Sequence, residues 1–155
     1  MSIGKWVGIG AGWFFGGPIG AIIGYYIGKN FFTGKNDNEK AYEVSLLILA
    51  SLVIKADGKV RKEELNYVKE FFTRTFGLVK SKKYYEIFNT LNKQSLSSKL
   101  RAICLQLTQS INHASRLQII HFLFGVASSD NEIHQTEINV INKIATYLNV
   151  SSQDF

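Results

Sequence analysis

Residues 52–68 read LVIKADGKVRKEELNYV and residues 124–141 read FGVASSDNEIHQTEINVI. At an offset of 73 residues, Asp57 pairs with Asp130, Gly58 with Asn131, Val60 with Ile133, Glu64 with Glu137 and Leu65 with Ile138. In each copy an apolar run precedes the acid and an amphipathic run follows it. Apolar spacing on both sides is helical, so each copy is predicted to form helix, acidic turn, helix.

Both copies look like the second half of a calcium loop, D-G-x-hydrophobic-x-x-x-E. A whole loop also needs oxygen ligands two and four residues before that Asp. Lys55 and Val53 stand there in the first copy, Ser128 and Val126 in the second. Neither copy is therefore a self-contained calcium loop. Two constructions remain open. In one, Asp57, Glu64, Asp130 and Glu137 jointly hold a hard divalent cation such as Ca²⁺, Mg²⁺ or Mn²⁺. In the other, the acids only build the turns. Gly58 and Asn131 would then take left-handed conformations, Val60 and Ile133 would plug the core, and Glu64 and Glu137 would cap free N–H groups one turn into the next helix.

Working outward, no strand-like alternation persists from Asn36 onward. A start signal at Asn36 and Glu39 precedes AYEVSLLILASLVIKA, residues 41–56. A helix apolar on most faces belongs at the centre of a bundle. Further helices are expected at Lys62–Phe76, ending at Gly77, at Ser81–Lys93, from Ser97 through SKLRAICLQLTQSI, at 114–128, and at Gln135–Leu148. Short polar connections imply a compact antiparallel bundle.

Residues 1–34 differ in kind. They hold ten of the 13 glycines and both tryptophans, and 23 residues between Lys5 and Lys29 carry no charge. As a helix that run would be ~35 Å long, against a hydrocarbon core of about 30 Å. Glycine recurs at Gly4, Gly8, Gly12, Gly16, Gly20, Gly24 and Gly28. Such a stripe lets helices approach closely in lipid, whereas in water each glycine costs a helix about 1 kcal/mol. The expectation is one kinked membrane-spanning helix that self-associates through Gly8, Gly12, Gly16, Gly20 and Gly24. A re-entrant hairpin broken at Gly16-Gly17-Pro18 is the competing arrangement. The run is too long for a cleaved signal peptide, and no small-x-small site follows it.

The division expected is therefore an anchor over 1–34, a helical domain over 35–150 and a tail or linker start over 151–155. Lys29, Lys35 and Lys40 against Lys5 place the domain on the cytoplasmic side of the inner membrane, and the unpaired Cys104 agrees with a reducing compartment.

Composition narrows function. One cysteine excludes a disulfide framework and a zinc–thiolate cluster. Residues 35–101 hold 14 basic and 8 acidic side chains, scattered and without stacking motifs. That suits a solvated or lipid-headgroup-facing surface and not a nucleic-acid interface. No nucleophile spacing, zincin pattern or phosphate loop occurs, so no enzyme activity is expected. His121, in an apolar run, reads as a core histidine, His134 as at most an aid to a metal at the second turn, and Cys104 as a buried apolar residue.

ADGKVRKEE followed some 70 residues later by SDNEIHQTE resembles the TerB-like domain, a helical module of tellurite-resistance proteins with acidic turns and a suggested metal role. A glycine-rich membrane segment joined directly to such a domain is similar to the front of DjlA-type, membrane-anchored DnaJ-like co-chaperones. The resemblance implies an all-α bundle behind a transmembrane helix, serving as an interaction or sensing module that tethers Hsp70-assisted folding or stress signalling to the membrane. The alternative it implies is a divalent-metal-binding, tellurite-resistance-like stress module. Co-chaperones of this type end in a J-domain with a His-Pro-Asp loop. The only proline here is Pro18, so Hsp70 is a partner only if a J-domain follows.

Overall fold

A computed structural model describes residues 17–28, 31, 37–132 and 134–154. Among the described residues there are seven α-helices and no strand: α1 Pro18–Tyr26, α2 Asp37–Ile54, α3 Lys62–Phe76, α4 Leu78–Asn92, α5 Leu100–Ser110, α6 His113–Ala127 and α7 Gln135–Tyr147. Short 3₁₀ turns at Ser97–Lys99 and Ser152–Asp154 complete the order. The expected all-α bundle is what forms.

Helix α2 is its axis. All residues from Ala41 to Ala50 are buried, as an all-round apolar helix requires. It packs against α4, α6 and α7, while α3 lies chiefly on α4 and also on α6. Two polar devices set its register. Glu43 is buried, accepts the Tyr84 hydroxyl and pairs with Lys80 at 3.0 Å, tying α2 to α4. Burial pushes the Glu43 carboxyl up, and the Tyr84 and Lys80 contacts only partly oppose it. At the other end Lys55 donates to the Asn92 and Gln94 carbonyls at 2.7 and 2.6 Å. Phe71, Phe72, Phe76, Tyr84 and Phe122 form an edge-to-face and tilted aromatic cluster joining α3, α4 and α6.

Boundaries move little from those expected. Helix α3 occupies Lys62–Phe76 as read, while α4 begins at Leu78 instead of Ser81 because Gly77 both ends α3 and opens α4. Cys104 is buried, and desolvation pushes its thiol up to about 12. His121 is exposed, which corrects its reading as a core histidine. The helix turns its apolar neighbours Ile119, Ile120, Phe122 and Leu123 inward and leaves the imidazole on the rim.

Of the amino-terminal segment, the described residues 17–28 are seated on the bundle. Helix α1 has nine residues, with Ile19, Ile22 and Ile23 buried against α2 and α5. The Ile19 N–H, which no residue of its own helix can satisfy, donates to Gln106 Oε1 of α5 at 2.8 Å. Gly17 makes this seat possible: its φ is +104°, and a Cβ there would lie 2.9 Å from the Gln106 side chain. No helix among the described residues is long and apolar enough to cross a membrane. Gly20 is covered on the bundle, whereas Gly24 is exposed with open space beside it. Gly8, Gly12 and Gly16 lie outside the described residues.

Candidate metal centre

The two acidic turns, 73 residues apart, are built alike. Each follows the end of an apolar helix, α2 or α6, and each needs one residue of positive φ to reverse the chain: Gly58 at +81° and Asn131 at +63°. Each aspartate then accepts the backbone N–H two residues on, Lys59 to Asp57 at 3.0 Å and Glu132 to Asp130 at 3.2 Å. This is the side-chain turn expected of aspartate. Each aspartate also meets a base four residues on. Arg61 Nη2 lies 2.6 Å from Asp57 Oδ2, and His134 Nε2 lies 2.7 Å from Asp130 Oδ2.

Seven residues after each aspartate, in the first turn of α3 and of α7, stand Glu64 and Glu137. Both are fully buried. The four carboxylates surround the Arg61 guanidinium. Its Nε is 3.4 Å from Asp130 Oδ2, and its Nη1 is 3.4 Å from Glu137 Oε2 and 3.8 Å from Glu64 Oε1. The sequence-predicted set Asp57, Glu64, Asp130 and Glu137 is thus gathered around Arg61, but no three of its carboxylates bring an oxygen each within 4.8 Å of one another.

Turn construction does not account for the glutamates. Neither helix has a side-chain cap at its amino terminus. Both oxygens of Glu64, and Oε1 of Glu137, are buried and accept from no donor group; only a proton shared between the two carboxyls would join them. Leaving such atoms unpaired is costly, so they ask for a ligand or a proton. The capping role expected for them is therefore corrected, while the turn-building role of the aspartates holds. Val60 is also corrected: it is 48% exposed instead of plugging the core. Ile133 lies outside the described residues.

Electrostatics sort the acids into two kinds. The Arg61 bond, joined by the Lys59 N–H, holds the Asp57 carboxyl below its ordinary range. Burial pushes Asp130 upward, but His134 and the Glu132 N–H outweigh it and leave it lowered. Glu64 goes the other way: burial first, then a carboxyl–carboxyl hydrogen bond with Glu137 and its charge, drive the group well above the usual range. A buried carboxyl beside another holds a proton that only a stronger cation would displace.

Three residues absent from the predicted ligand set join the centre. Arg61 was not anticipated, although the same 73-residue offset aligns it with His134 and would have flagged a base at each turn. Asp130, Glu132 and His134 also place one ligand atom each within 4.8 Å of one another. Glu132 is 75% exposed, so this second grouping lies at the rim of the buried one. The buried oxygens are ligands of the hard kind, and the rim grouping adds an imidazole, the kind of ligand a softer cation such as Zn²⁺ takes.

Compared with family models, residues 43–155 match tellurite resistance protein TerB. The chain belongs to the TerB family. Residues 1–37 match the transmembrane domain of co-chaperone DjlA. The arrangement is therefore a TerB-like helical module with a membrane anchor in front of it. Neither the curated proteins nor the solved structures compared contain a match.

Proposed function

We propose that this chain is a non-enzymatic sensing and interaction module, held at the cytoplasmic face of the inner membrane, whose twin turns bind a divalent cation. The observation that carries it is the set of oxygens on Glu64 and Glu137 that accept no hydrogen bond, fully buried beside Arg61, which also pairs with Asp57 and Asp130. Oxygen-only ligands of this kind suit Ca²⁺, Mg²⁺ or Mn²⁺. A cation there would bridge α3 to the second turn and so stiffen the junction of the two repeats. The anchor supplies the lipid contact and self-associates through Gly8, Gly12, Gly16 and Gly24 of its glycine stripe, Gly20 being covered by the bundle. The likeness of residues 1–37 to the DjlA transmembrane domain supports a related role, tethering Hsp70-assisted folding or stress signalling to the membrane. The TerB match supports the tellurite-resistance-like reading of the same cation site.

The test is calorimetric titration of the full chain in detergent micelles with CaCl₂, MnCl₂ and ZnCl₂. Saturable binding is expected for at least one of the two hard ions, and its loss in the double variant Glu64→Gln, Glu137→Gln. Heat from ZnCl₂ alone, unchanged in that variant, would move the site to Asp130, Glu132 and His134. Silence with all three salts would remove the cation from the function.

A further inference from the structure

The centre of the four carboxylates already contains a cation belonging to the chain. Arg61 makes one close pairing, at 2.6 Å to Asp57, and three loose ones of 3.4, 3.4 and 3.8 Å. A guanidinium is wide and planar, so it cannot approach four converging carboxylates closely at once. It therefore donates no hydrogen bond to either oxygen of Glu64 or to Oε1 of Glu137. A divalent ion is small and takes carboxylate oxygens at roughly 2.0–2.6 Å, so it can draw in the groups Arg61 cannot reach. The two cannot share the point. They have like charge, and at contact distance within protein that repulsion amounts to several times thermal energy.

Arg61 is also placed to leave. It is the residue before α3, with extended backbone at φ −96° and ψ 139°; its carbonyl accepts the Leu65 N–H at 3.2 Å, a bond that does not involve the side chain. Its side chain is 18% exposed, and Val60 beside it is 48% exposed, so a path to solvent is open. The side chain can swing out about its own torsions while α3 stays wound. The corresponding base of the second turn, His134, contacts Asp130 and Glu132 but neither buried glutamate. It does not stand in an incoming ion's way.

We infer that Arg61 is a tethered competitor of the divalent cation: it neutralises the four carboxylates itself and is expelled to solvent when the ion enters. Resting on the cation reading above, this makes Arg61 the residue that sets the ion threshold. It also turns occupancy into a visible change, since a guanidinium confined between two turns becomes a free surface charge beside Lys59 and Lys62.

The experiment uses the EDTA-treated full chain in detergent micelles, as wild type, Arg61→Gln and Arg61→Lys, with helical content checked by circular dichroism. Each is titrated with CaCl₂ and MnCl₂, and the arginine Nε–Hε signals of the wild type are followed by NMR. Arg61→Gln is expected to bind at least about tenfold more tightly than wild type. Arg61→Lys, which keeps a more mobile charge, should fall between. On saturation the Arg61 Nε–Hε signal should move to the position and fast exchange of free arginine. Binding by Arg61→Gln where wild type shows none would be the extreme form of the same result. Equal or weaker binding by Arg61→Gln beside a wild type that binds, or an Arg61 signal unmoved at saturation, would overturn the inference and leave the cation site standing. Silence in wild type and both variants would overturn both together.

Discussion

The first and second acidic turns share a backbone and differ in one side chain that matters. Each has aspartate, a left-handed residue, a base at the fifth position and a buried glutamate at the eighth. In the first turn the base is Arg61, permanently charged and long enough to reach Asp130 and Glu137 of the other copy. In the second it is His134, which stays with Asp130 and Glu132 on its own turn. The repeat supplies a symmetric set of acids, and the unequal bases make the site one-sided. A duplicated scaffold can thus hold still while a single position decides what fills its centre.

Removing the bases one at a time is the strongest way to break the comparison. Arg61→Ala strips the cation from two fully buried glutamates, and the EDTA-treated protein should lose on the order of 5–10 °C in Tm. His134→Ala leaves Arg61 in place and should cost clearly less; equal losses would mean that the two turns are electrostatically equivalent.

The glutamates give the next largest effect. Because the Glu64 carboxyl is raised in the folded protein, the fold retains a proton that the unfolded chain releases above the ordinary 4.5. Its contribution to stability therefore falls as pH rises through that value toward the raised one. Urea unfolding from about pH 5 to about pH 8 should show this decline in wild type and a flatter profile in Glu64→Gln. Parallel profiles would place the retained proton elsewhere.

Smaller effects come from the turn residues. Gly58→Ala forces a Cβ into a backbone at φ +81° and should cost about 1–2 kcal/mol in chemical denaturation. Asn131→Gly, at φ +63°, should stay within about 0.5 kcal/mol of wild type. A large loss there would show that the Asn131 side chain has a role beyond tolerating that conformation.

The sequence made the bundle legible because its determinants are local. The all-apolar run 41–56 could only be central, and Gly58, Gly77 and Asn131 punctuate the helices where the chain turns. The four acids were legible too, since an internal repeat keeps spacing and residue type together. The contents of their centre were not. Whether Glu64 caps its helix or faces Glu137 depends on how α3 and α7 lie together, which no pattern within either copy encodes. His121 misled because periodicity in an apolar helix does not mark which single position meets solvent. The seat of α1 was equally hidden: Gln106 looks like any polar residue of an amphipathic helix until Gly17 and Ile19 are brought against it.

That seat has a consequence for the bilayer. Residues 18–26 rest on protein although they lie within the 23-residue charge-free run. The twelve residues of that run before them would reach ~18 Å if helical, a little over half of a hydrocarbon core. A single helix that used the whole run to cross would have to lift Ile19, Ile22 and Ile23 from the bundle and release the backbone amide that Gln106 holds.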